Sequence, residues 1–171
     1  LGQRSEASRQ VIQRFVAATP SSARRVFDIN LRPPYHQTEI LLESLAWANV
    51  LKLNEAELPQ VAEILGLSGS ESTLLRQISE RSKISTIALT KGAVGSVILH
   101  RGTFDQQSAA PTSIADTVGA GDAFTAALTH GLLEDVELST IHRHASELAA
   151  YVCSQSGATP SIPDSLAAWP L

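Results

Sequence analysis

The sequence predicts an α/β fold built on a mainly parallel sheet with helices on both faces, and three observations carry that reading. Short β-rich runs alternate with helical stretches of ten or more residues, the pattern of strands joined by crossover helices. Three predicted strands end in polar clusters, Asp28-Asn30-Arg32, Asn54-Glu57 and Thr90-Gly92. Ligands of such sheets bind beyond the carboxyl ends of the strands, so these clusters are expected along one edge. Composition agrees: 43% hydrophobic and 18% charged residues are ordinary globular values and exclude a disordered chain.

Each element has a local reason. In SEASRQVIQRFVAAT, Ser5 is a cap, and Val11, Ile12, Phe15 and Val16 give one apolar helical face that stops at Pro20. RRVFDIN is a short strand ending in Asp28 and Asn30. Residues 38–46 read as helix through Ile40, Leu41, Leu42 and Leu45, and NVLKL (49–53) as strand. Asn54 caps a helix carrying Leu58, Val61, Ala62 and Leu65, which Gly66 closes. A helix fits 71–81, and STIALT (85–90) is a buried strand. SVILH and residues 103–108 flank Arg101-Gly102 as a hairpin. Two helices, about 120–132 and 138–154, precede a Gly/Pro/Ser tail from Ser156.

Thirteen Lys+Arg against 17 Asp+Glu give a net charge of −4, too acidic and too scattered for nucleic acid or an anionic membrane as main partner. No apolar run approaches the roughly 18 residues that span a bilayer, and no signal-peptide pattern opens the chain. With a single cysteine, Cys153, read as a buried structural thiol, the expected location is cytoplasmic. The chain begins at Leu1 and holds no methionine, so sequence upstream of it is expected.

The stretch DTVGAGDAF (116–124) concentrates the chemistry. Gly119 and Gly121 flank Ala120, so the backbone can approach a ligand without a Cβ in the way. The run feeds a helix whose first N–H groups lack internal partners, a site for phosphate or a developing oxyanion. Asp122 sits in the first turn, where a carboxylate beside bound phosphate suits proton abstraction from an incoming hydroxyl. On these residues alone the plainer alternative is a helix cap behind a tight turn. Phe124 stands where GxGxxG needs its third glycine, and no GxxxxGK[ST] occurs.

DTVGAGDAF resembles the second signature of the ribokinase-like, or phosphofructokinase-B, carbohydrate kinases. DINLR (28–32), VLKLNEAE (50–57), ALTKGAVGS (88–96) and GATPSIP (157–163) resemble further family features, in the family's order over nearly the whole chain. DINLR and AYVCSQSGATP look most like fructokinases. The resemblance implies a three-layer αβα fold in which residues 1–171 are the C-terminal portion of one carbohydrate-kinase domain, with the N-terminal part and sugar lid missing.

It further implies ATP-dependent phosphorylation of a sugar hydroxyl, with Asp122 as base and the N–H groups of Gly119, Ala120 and Gly121 as anion hole. Asn54 and Glu57 match the NxxE motif that organises Mg²⁺ and phosphates, through water. Thr90, Gly92 and Gly95 match the nucleotide turn, with Asn54 also on the nucleotide side. Asp116 matches a ligand of the monovalent-cation (K⁺) site of many members, completed by carbonyls at Val118, Val152, Gln155 and Gly157 and the hydroxyl of Ser161. Arg32 is the sugar-side candidate together with Asp122, the competing reading being an ion pair of Arg32 with Asp28. Tyr35 stands where many relatives carry a bulky aromatic.

The residue-level alternatives stay open. Without the resemblance Glu57 reads as a solvated helix face; Asn54 reads as a simple cap, a role compatible with the other, and Lys52 as a phosphate contact or an exposed strand-end lysine. His142 and His144, two apart on a helix, point to different faces, which disfavours a paired metal site; they read as surface, with a place near the adenine pocket as the alternative. Partners follow from the reading: ATP and a small sugar, no nucleic acid, no membrane, a homodimer left open, and the missing N-terminal portion needed for full activity. A kinase for ribose or a sugar acid such as 2-dehydro-3-deoxygluconate is the nearest alternative. A non-catalytic nucleotide-binding domain is the other.

Overall fold

The computed structural model describes residues 2–31 and 37–167, so the readings of Arg32 and Tyr35 lie outside the described residues. The chain divides into two compact units, Leu1–Leu89 and Thr90–Leu171.

The first unit holds α1 (Glu6–Ala18), β1 (Val26–Asp28), α2 (Thr38–Trp47), β2 (Val50–Asn54), α3 (Glu57–Leu65), α4 (Glu71–Ser82) and β3 (Thr86–Thr90). Its strands lie in the order β1-β2-β3. β1 and β2 are parallel, with Val26 opposite Val50, Phe27 opposite Leu51 and Asp28 opposite Lys52. The first four residues of β2 and of β3 are all buried. Strands covered on both faces carry such runs instead of alternation. Leu51, Leu53, Ile87 and Leu89 form the centre, against Leu45, Val61, Leu75 and Ile78 from the helices.

Helix ends follow their caps. The Ser5 hydroxyl accepts from Ser8 N–H and that of Ser70 from Thr73 N–H. Gly66 ends α3 at φ 63°, and Leu67 N–H reaches back to Ala62 C=O. The expected apolar face of α1 behaves differently. α1 buries no residue, and Val11 and Phe15 are 66% and 72% exposed. Among the described residues nothing covers that face, which forgoes about 1.5–3 kcal/mol for each large side chain that burial would supply.

The second unit holds β4 (Ser96–His100), β5 (Thr103–Gln107), α5 (Ala120–Leu133), α6 (Leu138–Cys153) and α7 (Asp164–Ala167). β4 and β5 pair antiparallel, from Ser96 opposite Gln107 to His100 opposite Thr103. Arg101 (φ 48°) and Gly102 (φ 85°) form the turn, and two positive φ values match the twist of a tight hairpin. The strands are therefore of mixed sense: the expected parallel arrangement holds for β1–β2, and the hairpin adds an antiparallel pair. α5 and α6 pack through Phe124, Leu128 and Leu132 against Ile141, Ala145 and Val152. The tail beyond Ser156 is more ordered than its composition suggests. It forms α7, and Tyr151 Oη donates to Ser161 C=O at 2.8 Å. Among the described residues no helix is long and apolar enough to cross a membrane.

Candidate active site

In the first unit the polar cluster after β1 and β2 is tied together by carboxylates. Asp28 and Lys52 stand directly opposite each other, and Lys52 Nζ donates to Asp28 Oδ1 at 3.2 Å. Lys52 is only 7% exposed, which corrects the exposed strand-end alternative: the parallel register sets the half-buried Asp28 carboxylate opposite it.

Asn54 and Glu57 form a reciprocal cap. Asn54 Oδ1 accepts from Ala56 N–H (2.9 Å) and Glu57 N–H (3.0 Å), and Glu57 Oε2 accepts from Asn54 N–H (2.9 Å). Glu57 Oε1 accepts from Leu31 N–H at 2.9 Å, across from the loop that follows β1. Glu57 is 3% exposed, so the solvated-face alternative is overturned: each oxygen accepts one backbone donor, from two different loops. Each oxygen keeps a lone pair that can accept from a metal-bound water. That suits an outer-sphere role toward Mg²⁺, which holds several waters. Glu57→Gln replaces one acceptor with a donor and leaves Leu31 or Asn54 N–H facing it. The expected loss is about 1–3 kcal/mol of unfolding free energy, read by urea denaturation; an unchanged midpoint would refute this account of Glu57.

In the second unit the DTVGAGDAF stretch is a turn closed by Asp116. Its Oδ1 accepts from Val118 N–H at 3.0 Å and its Oδ2 from Gly157 N–H at 3.3 Å. The N–H groups of Ala115 and Asp116 donate to Cys153 C=O at 2.8 and 3.1 Å, and Gln155 N–H to Val152 C=O at 3.1 Å. The expected cation ligands Asp116, Val118 and Gly157 are thus joined directly, and Val152 and Gln155 close the adjoining helix end. Ser161 is held through its carbonyl by Tyr151. These are hard oxygen donors of the kind that suit an alkali cation. Among the described residues no cluster of three or more His, Cys, Asp or Glu could hold a metal.

Gly119 caps α5 at φ 85°, and a Cβ there would lie 2.4 Å from Ala158 C=O, so this turn and the GATP loop meet backbone to backbone. The first helical bond of α5 is Ala123 N–H to Gly119 C=O at 2.8 Å. Donors earlier in the turn precede any intrahelical acceptor. Ala120 N–H makes a long 3.4 Å contact with Thr117 C=O. Asp122 is exposed in the first turn.

Beside this turn lies a cavity of about 510 Å³, lined by Thr90, Gly92 and Gly95 on one side and by Ala120, Gly121 and Phe124 on another. The nucleotide-turn residues and the anion-hole residues therefore border one space. Gly95 is fixed there by φ 120°, and by Gln107 C=O only 2.1 Å from where its Cβ would stand. Cys153 also lines the wall; burial and the nearby Asp116 charge push its thiol pKa up, which agrees with an inert thiol.

Sequence reasoning misplaced two histidines. His142 is fully buried and His144 is 5% exposed, because α6 is covered over a broad arc. His142 Nδ1 lies 2.5 Å from Asp105 Oδ1 and its Nε2 2.7 Å from Ser96 Oγ. Ser96 and Asp105 were not singled out. The available signal was a serine opening the SVILH strand before the apolar run Val97–Leu99. Burial lowers the pKa of both histidines, the Asp105 hydrogen bond opposing it only partly for His142. Folded-state values below the unfolded one mean that the unfolded chain binds more protons. Stability is then retained above the unfolded value of about 6.5 and lost as pH falls from there toward the folded values. Urea unfolding at pH 7.5 and 5.5 is expected to show the lower midpoint at 5.5; equal midpoints would contradict it.

The sequence pattern described as pfkB family carbohydrate kinase matches residues 5–165. The chain belongs to this family. A fructokinase from Salmonella thompson is 32% identical over 134 residues, covering 75% of this chain and 59% of that protein. A ribokinase from Arabidopsis thaliana is 31% identical over 135 residues, covering 74% and 34%. An uncharacterized sugar kinase from Pyrococcus horikoshii, solved in complex with ATP, superposes with a TM-score of 0.75 at 26% identity, over 91% of this chain and 50% of that one. The chain thus has the ribokinase-type fold of its family and spans roughly a third to three fifths of the curated relatives it matches.

Proposed function

We propose that the protein to which this chain belongs is an ATP-dependent sugar kinase of fructokinase type. The observation that carries the reading is an exposed Asp122 in the first turn of α5, directly after left-handed Gly119 and beside the cavity bordered by Gly121, Thr90, Gly92 and Gly95. Asp122 takes the proton of the sugar hydroxyl, which forms a bond to the γ-phosphorus as the bond to the β–γ bridging oxygen breaks. That electron pair leaves with ADP. N–H groups of Gly119, Ala120 and Gly121 stabilise charge on the transferring phosphoryl oxygens, and the helix dipole adds to them.

Thr90, Gly92 and Gly95 shape the nucleotide side. Mg²⁺, when bound, would neutralise charge on the phosphates; Glu57 and Asn54 are the residues proposed to hold it through water, and Asn54 is also proposed for nucleotide binding. Asp116, with Val118, Val152, Gln155, Gly157 and Ser161, is the proposed K⁺ site that steadies the turn. Arg32 and Asp122 are the residues proposed for sugar binding. The uncovered face of α1, with Val11 and Phe15 exposed, supports the view that further sequence of the full-length protein packs here and completes the site.

Near-equal similarity to a ribokinase keeps ribose in the test. The full-length protein is mixed with Mg²⁺-ATP and fructose, glucose, ribose or 2-dehydro-3-deoxygluconate, and ADP release is followed. Turnover led by fructose is the expected result. Turnover led by another sugar would replace the substrate, and ATP binding without turnover on any would favour a non-catalytic nucleotide-binding domain.

A further inference from the structure

Glu57 joins two loops that leave the sheet at the same end. β1 and β2 are parallel, so the chain emerges from Asp28 and from Asn54 at a shared carboxyl edge. The register closes with Asp28 opposite Lys52, and Ile29 N–H then donates to Lys52 C=O at 3.1 Å. Past that point the buried Glu57 carboxylate continues the connection. Its Oε1 accepts from Leu31 N–H and its Oε2 from Asn54 N–H, each at 2.9 Å.

The backbone between these fixed points is bent. Asn30 holds φ 46°, in the left-handed region that asparagine enters more readily than most side chains. Ile29 before it is 6% exposed and tied to β2, and Leu31 after it is tied to Glu57. A hydrogen bond to a charged acceptor is worth as much as the left-handed backbone costs. The bend is therefore held while the Glu57 acceptor is in place and is free to relax without it.

The two loops serve opposite halves of the proposed reaction. Asn54 is proposed for the nucleotide, and in sequence Leu31 leads directly into Arg32, proposed for the sugar. A ligand that orders the loop after β2 fixes Asn54 N–H, and with it the Glu57 carboxylate and Leu31. Order passes equally well in the other direction, because a coupling between two binding events is reciprocal.

We propose that Glu57, beyond any water it holds on Mg²⁺, couples the two substrates: through the Leu31–Glu57–Asn54 bridge, sugar and nucleotide each raise the affinity for the other. The coupling rests on the reading that these loops take sugar and ATP. Glu57 is a positioning residue in it, since it acts toward the sugar only through Leu31.

The test is titration calorimetry of the full-length protein with Mg²⁺ and a non-hydrolysable ATP analogue with an imido β–γ bridge. The analogue is titrated with and without saturating fructose, and fructose with and without saturating analogue. Wild type is expected to bind each ligand at least about fivefold more tightly in the presence of the other, by the same factor in both directions. Glu57→Gln puts a donor where one of the two acceptors stood. Glu57→Asp keeps the charge but is one methylene shorter, so it cannot reach both loops. Each variant should bring both ratios below twofold. Partial unfolding lowers the number of sites titrated and leaves the ratio readable, and Glu57→Asp carries the test if Glu57→Gln fails to fold.

A Glu57 that serves Mg²⁺ alone would weaken the analogue equally with and without fructose and keep the ratio, which overturns the proposal. So does a wild type that binds the two ligands independently, while the kinase reading stands. A wild type that binds the analogue but not fructose overturns the fructose reading, and one that binds neither overturns the kinase reading; the coupling falls with either.

Discussion

Asp122→Asn in the full-length protein is expected to lower sugar-dependent ATP turnover by about 10²–10⁴-fold, the usual contribution of a general base. ATP affinity should change little or improve. The amide keeps the size of the carboxylate and removes the negative charge beside the phosphates, so binding loses a repulsion while proton abstraction loses its acceptor. Asp122 is exposed and lies in the first turn of α5, so the variant should retain the wild-type melting temperature. Steady-state ADP release together with ATP titration separates the two effects. Turnover within threefold of wild type would remove Asp122 from the chemistry.

Gly119→Ala is expected to cost both stability and activity. The added Cβ would lie 2.4 Å from Ala158 C=O and 2.9 Å from Ala158 Cα, backbone atoms that cannot rotate aside. The left-handed backbone alone costs a non-glycine residue roughly 1–3 kcal/mol. Relief requires the GATP loop to retreat, and Asp116 holds that loop through Gly157 N–H. The turn that presents Gly121 and Asp122 would therefore shift with it. Thermal unfolding should show a lower midpoint, and ATP titration a weaker affinity. A variant that melts like wild type would show that the two loops do not pack as described.

Much of this arrangement is legible in the sequence because the decisive constraints are local. Gly119 sits in a positive-φ cap that few other residues tolerate, and Gly66 and Arg101-Gly102 mark their turns for the same reason. Ser5 and Ser70 announce helix starts through hydroxyls that reach three residues ahead. The rest depends on register and on faces. Lys52 looks like a free strand-end cation until the parallel pairing sets Asp28 opposite it. Glu57 reads as solvated, yet its second partner, Leu31 N–H, comes from another loop. His142 joins Asp105 and Ser96 only through the hairpin register and the buried arc of α6, which spacing along one helix does not encode. The apolar face of α1 carries the right periodicity for a core face, but nothing among the described residues covers it.

The central claim is that this turn and cavity belong to a machine that moves a phosphoryl group from ATP to a sugar. The most direct measurement is phosphorus NMR of the full-length protein with Mg²⁺-ATP and fructose. The account predicts a growing sugar-phosphate resonance in step with the loss of the γ-phosphate signal, and neither in the Asp122→Asn protein on the same timescale. Saturating, verified ATP binding with no phosphate ester formed on fructose, ribose or a sugar acid would contradict it.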